Sequence, residues 1–412
     1  MNRTHTVQTP RKALFRLLGP AFIAAVAYVD PGNVAANITA GAQYGYLLVW
    51  VLVLANAMAV VIQYQSAKLG LVTGASLPQL VGNSLPRSGR IAYWIQAELV
   101  ALATDVAEII GGAIALQLLF DLPLLWGGLL TVVVSLLVLL VQSSRKQQTF
   151  QTIIGGLLLL VTVGFLSGLF LDPPHPGQVL AGLVPRFDGV DSVLVATSML
   201  GATVMPHAIY LHSSLVNHHQ PLTDAPRQSI RSKLRITSID VGLALLLAGA
   251  VNIGLLLLAA TSLAGQPNTD DIAGAHHAIV HAFGPAIGTI FAIGLLASGL
   301  ASTSVGAYAG SEIMKGLLHR NIPLALRRAI TVIPALILLA TGINPTALLV
   351  FSQVVLSFGI PCALIPLRKF TANQALMGEY ADTLTLRIIT GISTAIIIAL
   401  NIVLLVLTAL QL

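Results

Sequence analysis

Two short stretches carry side chains capable of ligand chemistry at places where a helix is interrupted. In AYVDPGNVAA (27–36) Asp30 and Asn33 flank a Pro-Gly pair, and in GATVMPHAIYLHS (201–213) Met205 and His207 flank Pro206. Proline and glycine both break helices, and proline removes a backbone donor, so carbonyl oxygens are freed beside these side chains. Asp30 and Asn33 add two hard oxygen ligands, and Met205 adds a thioether sulfur. Oxygen with sulfur suits Mn, Fe, Co or Cd, whereas Mg and Ca strongly prefer oxygen alone. A proline kink or a packing methionine is the plainer reading of either feature taken singly.

A second set is acidic. Glu98, Asp105 and Glu108 are spaced seven and three residues apart, which puts all three on one helix face. Each would cost about 2.5–3.5 kcal/mol at a bilayer centre, so the face must line a wet or paired interior. Arg327 and Arg328 are the candidate partners, with Asp105 and Glu108 expected near Arg327; a purely structural ion pair is the competing reading. His207 and His212 are five apart and share a helix face poorly. A membrane histidine is more often a hydrogen-bonded structural group than a ligand. The place of His207 beside the break favours proton transfer or gating, and His212 is evenly divided between the two. The pairs at 218–219 and 276–277 read as ordinary loop histidines.

The elements that must position these groups are membrane helices. The 412 residues are 56% hydrophobic and only 9% charged, with a mean hydropathy of +0.88. A soluble domain carries about 25% charged residues. Apolar runs of roughly 20 residues, each enough to span a bilayer, recur along the whole chain. Eleven spans are expected near 13–40, 46–68, 90–118, 122–142, 151–171, 192–215, 236–262, 278–305, 324–342, 346–366 and 386–410. Residues 1–12 form a cytoplasmic tail, and 1–412 reads as a single transmembrane domain. The run from Arg11 to Ala27 has the look of a secretory signal, but cleavage there would discard the helix leading into the first break.

With the N-terminus in the cytoplasm, 20 of the 21 Lys and Arg fall on inner segments, Arg186 alone lying outside. One missed span would reverse every later loop, so the asymmetry supports both the sidedness and the count, and it puts the C-terminus outside. The inner set includes Arg3, Arg11, Lys12, Arg16, Arg145 and Lys146 as well as Lys68, Arg87, Arg368, Lys369 and Arg387. The net charge of +6 is thus topological and spread over six short segments, unlike a nucleic-acid footprint. Loops 171–191 and 265–277 are outward. The single cysteine, Cys362, excludes an intramolecular disulfide or a multi-cysteine metal cluster. No Walker loop or HExxH motif is present, which argues against an ATP-driven pump and a metallohydrolase.

The two interruptions occupy corresponding positions if spans 1–5 and 6–10 are repeats, the arrangement that marks a midplane site in inverted-repeat transporters. A sodium-coupled amino-acid carrier of that architecture has no use for Met205 beside an aspartate. A channel is separated from a carrier only by concentrative uptake.

YVDPGNVAANITAGAQYGY and GATVMPHAIYLHS resemble the Nramp (natural resistance-associated macrophage protein) family, specifically its bacterial proton-dependent manganese transporters. The resemblance continues through YWIQAELVALATDVAEIIGGAIAL, LASGLASTSVGAYAGSEIMKG, IPLALRRAITVIPA and LVFSQVVLSFGIP, in order along nearly all of the chain. It implies an all-α, LeuT-like fold of two inverted five-helix repeats plus an eleventh helix, with discontinuous helices 1 and 6. It further implies symport of Mn2+ (or Fe2+, Co2+, Cd2+) with protons across the cytoplasmic (inner) membrane. No permanently bound cofactor and no obligatory protein partner are expected beyond metal, protons and lipid bilayer.

By the same resemblance Asp30, Asn33, Met205 and the Ala202 carbonyl are the metal ligands, joined in some states by Gln353 and the Ala27 carbonyl. Asp30 is then the first proton acceptor, and the acidic face with its arginines is the proton route. Val34 stands where many relatives have Phe, and Ala208 where others have Asn or Val; neither change removes a ligand, and both bear on fine metal selectivity.

Overall fold

The computed structural model describes residues 19–143, 147–219, 227–266, 269, 271–320 and 323–411. The N-terminal tail, with Arg3, Arg11, Lys12 and Arg16, and the pair Arg145 and Lys146 lie outside the described residues. Among those described, the regular elements are helices, and no strand occurs. The eleven expected spans appear in order. Eight helices are long and apolar enough to cross a membrane. The other three are the first span, broken into Pro20–Val26 and Pro31–Tyr44, the fourth (Leu124–Ser143) and the ninth (Leu324–Ala340).

Several ends differ from the expected ones. The third span runs Arg87–Phe120, the tenth Pro345–Thr371 and the eleventh Leu384–Gln411. The seventh, Arg227–Ser262, begins well before residue 236. Its 36 residues reach about 54 Å at 1.5 Å per residue, far beyond the hydrocarbon core, so its basic first turns project from the membrane. The eighth is Pro285–Leu318 and starts later than 278, because a separate helix, Ile272–Phe283, precedes it. Gly284 makes the corner at φ 85, a conformation open to glycine, and Pro285 begins the next helix. His276 and His277 therefore sit on a helix, not in a loop as expected.

Among the described residues the third and eighth spans pack together more extensively than any other pair of helices. Small residues allow it: a Cβ on Gly299 would lie 3.0 Å from the Gly112 nitrogen and 3.1 Å from the Glu108 carbonyl. Between membrane helices, where apolar burial gives little net drive, such close backbone approach is the main source of association.

The broken first span is enclosed on all sides, with most of its residues buried from Pro20 to Ala42. That placement follows from its free backbone groups, which lipid cannot satisfy. Its first half has no cap of its own; Asp240 of the seventh span accepts from the nitrogens of Gly19 (3.2 Å) and Ala21 (3.1 Å). Lys68 of the second span pairs with buried Asp382, which also accepts from Gln65 Nε2 at 2.6 Å. This ties the second span to the start of the eleventh.

Candidate metal centre

Proline decides the local structure of both breaks. In the first, Ala27–Val29 form a single 3-10 turn, Asp30 is extended (φ −79, ψ 166), and a new helix starts at Pro31. In the second, a helix ends at Thr203, Val204 leaves helical geometry (φ −101, ψ 83), and the next helix starts at Pro206. A helical carbonyl accepts from the residue four positions on, and proline has no N–H to donate. The Ala27 and Ala202 carbonyls are each four residues before a proline. The pentapeptides AYVDP and ATVMP thus match position for position, Asp30 standing where Met205 stands in the other repeat.

The other carbonyls of the first break are satisfied from neighbouring spans. Asn252 Nδ2 donates to the Tyr28 carbonyl at 2.7 Å, and Ser298 Oγ to the Val29 carbonyl at 2.5 Å. Asn37 Nδ2 in turn holds Asn252 Oδ1 at 3.0 Å. What is left is a compact polar junction. Asp30 caps the second half-helix, its Oδ1 accepting from Asn33 N (2.7 Å) and Asn33 Nδ2 (2.9 Å). The same Nδ2 donates to the Ala202 carbonyl at 3.0 Å, so one carboxamide joins the two breaks.

Asp30 Oδ2, Asn33 Oδ1 and both polar atoms of Gln353 are buried without a hydrogen-bond partner. Gln353 lies over Gly32: a Cβ there would be 1.8 Å from Gln353 Nε2 and 3.3 Å from Asp30 Oδ2. Met205 and Ala27 belong to one packed cluster, and Asp30, Asn33, Ala202 and Met205 have no exposed surface.

A half-turn of the Asn33 carboxamide puts its oxygen where its nitrogen now bridges Asp30 and Ala202. A cation at that bridge would then meet a carboxylate, an amide oxygen and a backbone carbonyl, with the Met205 sulfur three residues from Ala202. Among the described residues no group of three or more His, Cys, Asp and Glu could hold a metal. A donor set built on amides, carbonyls and a thioether contains only one such residue.

The acidic face lies beside this junction and is paired differently from the expectation. Asp105 bonds Arg328 (Oδ1 to Nη1, 2.5 Å), and Arg327 bonds Glu98 (Nη2 to Oε1, 2.8 Å). Consecutive residues point about 100° apart on a helix, whereas acids seven apart are two turns, about 10 Å, distant along one face. Adjacent arginines therefore reach acids two turns apart. Gly310 on the eighth span makes room for Arg327; a Cβ there would fall 2.1 Å from its Nη2.

Glu108 pairs with neither arginine. It is fully buried, both oxygens lack partners, and it lies within electrostatic reach of Asp105, Arg328 and Asp30. His207 is buried with both ring nitrogens unpartnered, within electrostatic reach of Asp105. His212 is engaged: its Nδ1 meets Gln63 Oε1 at 2.8 Å, and Gln63 Nε2 donates to the Tyr28 hydroxyl at 2.7 Å.

Tyr28, Gln63, Asn252, Asn37 and Ser298 are the residues that reading the sequence missed. Amides and hydroxyls inside apolar spans were the available signal, since each is costly there unless it has a partner.

The sequence model described as "Natural resistance-associated macrophage protein-like" matches residues 21–407. The chain belongs to the Nramp family. A Mycobacterium tuberculosis "Divalent metal cation transporter MntH" is 55% identical over 371 residues, covering 90% of this chain and 86% of that protein. The Bacillus subtilis protein of the same name is 43% identical over 424 residues, covering 98% and 99%. A crystal structure of the Eremococcus coleocola manganese transporter, 29% identical, superposes with a TM-score of 0.87 over 97% of this chain and 87% of that one. The nucleobase-cation-symport-1 family transporter Mhp1 superposes with a TM-score of 0.60 at 15% identity, over 96% of this chain and 93% of that one. That likeness concerns the fold alone, and it is the LeuT-like fold that the family resemblance implied.

Proposed function

We propose that this Nramp-family chain imports divalent transition-metal ions, Mn2+ foremost with Fe2+, Co2+ and Cd2+ also carried, by symport with protons. The observation that carries the reading is the junction at which Asn33 joins Asp30 to the proline-freed Ala202 carbonyl beside Met205. Relatives named as divalent metal cation transporters and as a manganese transporter support it. The chain is a membrane transporter and not an enzyme.

Asp30, Asn33, Met205 and the Ala202 carbonyl hold the metal, with Gln353 and the Ala27 carbonyl able to join. The sulfur selects against Mg2+ and Ca2+ because hard ions gain little from replacing hydration oxygen by a thioether. Asp30 takes the proton, and His207, Glu108, Asp105 and Glu98, with Arg327 and Arg328, form the proton route. His212 serves the route by holding Gln63 and Tyr28 at the break. The N-terminus lies in the cytoplasm and the C-terminus outside.

Two inward charges on Mn2+ gain about 4.6 kcal/mol per 100 mV of membrane potential. Protons thus need not share the metal's path, and the acidic face is a separate one. The test is uptake by purified protein in liposomes, with internal dyes for metal and for pH. Concentrative Mn2+ uptake accompanied by acidification, both absent in Asp30→Asn, is the expected result. Uptake that never exceeds equilibration would make the protein a channel. An Asp30→Asn protein with the parental Mn2+ affinity would refute the assigned ligand.

A further inference from the structure

Between the tenth and eleventh spans, at their basic ends, lies a cleft of about 310 Å³ lined by Ile365, Arg368, Lys369, Ala372, Arg387 and Thr394. Among the described residues three cations meet there and no carboxylate lines it. The acids nearest in sequence are engaged elsewhere: Asp382 with Lys68 and Gln65, and Glu379 with Arg231 at 3.5 Å. Arg387 is fixed at the cleft through the carbonyls of Asp382 (from Nε, 3.0 Å) and Ala372 (from Nη2, 2.9 Å), which hold it in place without neutralising it. Among the described residues neither Arg368 nor Lys369 pairs with a carboxylate. The Arg368 guanidinium leans on the eleventh span at Gly391, where a Cβ would lie 2.9 Å from its Nη2.

The surroundings are greasy. Ile365 is 55% exposed, and further along the eleventh span Ile388 and Ile392 are 51% and 57% exposed. A cationic cleft opening beside lipid-facing apolar residues fits an anion that carries its own hydrocarbon. A small soluble anion would match the cations but gain nothing from the apolar wall. Basic pockets between membrane helices near the cytoplasmic surface are suited to anionic headgroups.

We propose that this cleft binds the headgroup phosphate of an anionic phospholipid, held by Arg368, Lys369 and Arg387, with its acyl chains along Ile365 and the eleventh span. The lipid belongs to the leaflet that the charge distribution assigns to the cytoplasm.

The full-length protein in detergent is titrated by native mass spectrometry with phosphatidylglycerol, with phosphatidylcholine of the same acyl chains, and with inorganic phosphate. Phosphatidylglycerol should bind preferentially. Lys369→Gln should weaken it about fivefold and Arg368→Gln/Lys369→Gln about 25-fold, since each cation near a charged lipid surface is worth about 1 kcal/mol. Arg87→Gln, at an exposed cation on the third span, should leave the preference intact.

Equal binding of phosphatidylcholine would overturn the proposal. So would displacement of phosphatidylglycerol by inorganic phosphate at matched concentration, which would make the ligand a soluble anion. An equal loss in Arg87→Gln would reduce the effect to diffuse surface charge. Should the double variant fail to fold, Lys369→Gln, at an exposed side chain, decides alone.

Discussion

Replacing Asp105 with asparagine breaks the Arg328 pair, leaves Glu98–Arg327 in place, and measures what the first pair holds. Arg328 has no exposed side-chain surface, and among the described residues its one carboxylate pair is Asp105 at 2.5 Å while its Nε and Nη2 have no partner. Asparagine keeps the shape of the side chain and removes the charge, while a guanidinium does not give up its proton. The variant must therefore keep an uncompensated cation away from water, a change that costs about 3–5 kcal/mol when a buried pair is broken from one side.

Glu108 limits the loss. It lies three residues on, buried, with both oxygens unpartnered and within reach of Arg328. We expect about 3 kcal/mol for Asp105→Asn and about 5 kcal/mol once Glu108→Gln removes the substitute anion as well. Glu108→Gln alone should cost little, because neither Arg327 nor Arg328 is paired with it while Asp105 is in place.

Reversible unfolding by SDS in mixed micelles, followed through the three tryptophans, gives these free energies. Under the proposed transport cycle, Asp105→Asn in liposomes should still take up Mn2+ with altered pH dependence, while metal-stimulated proton influx falls sharply. A single variant as stable as the parent would show that Arg328 does not depend on Asp105. Parental values for both fluxes would remove Asp105 from the proton route, and joint loss would point to a shared path or a structural role.

Met205→Ala should retain Mn2+ uptake and admit Ca2+ or Mg2+, because the donor that disfavours hard ions is gone; metal competition in liposomes checks it, and unchanged rejection of Ca2+ would clear the sulfur of that role. Gly32→Ala places a methyl 1.8 Å from Gln353 Nε2 and should weaken Mn2+ binding in calorimetry with every proposed ligand still present, whereas Gly155→Ala, with nothing within 4 Å, should not. Asp240→Ala removes the cap on Gly19 and Ala21 and should cost about 1–2 kcal/mol in the same unfolding assay.

Local chemistry made much of this protein legible before its fold was known. Hydropathy gives the spans because length and apolarity are properties of contiguous residues. Both breaks follow from Pro31 and Pro206, each of which acts on its own helix and frees a carbonyl four residues back. The single face shared by Glu98, Asp105 and Glu108 follows from helical spacing.

The tertiary structure decided what depends on partners far apart in the chain. Which arginine meets which acid is set by how the ninth span crosses the third, over 200 residues away. The carbonyls of Tyr28 and Val29 are satisfied by Asn252 and Ser298, and His212 is tied to Tyr28 through Gln63. No local pattern relates these residues, because packing alone brings them together. The helix Ile272–Phe283 was likewise hidden by its loop-like flanks, and the basic cleft exists only because the tenth and eleventh spans bring Arg368, Lys369 and Arg387 to one edge.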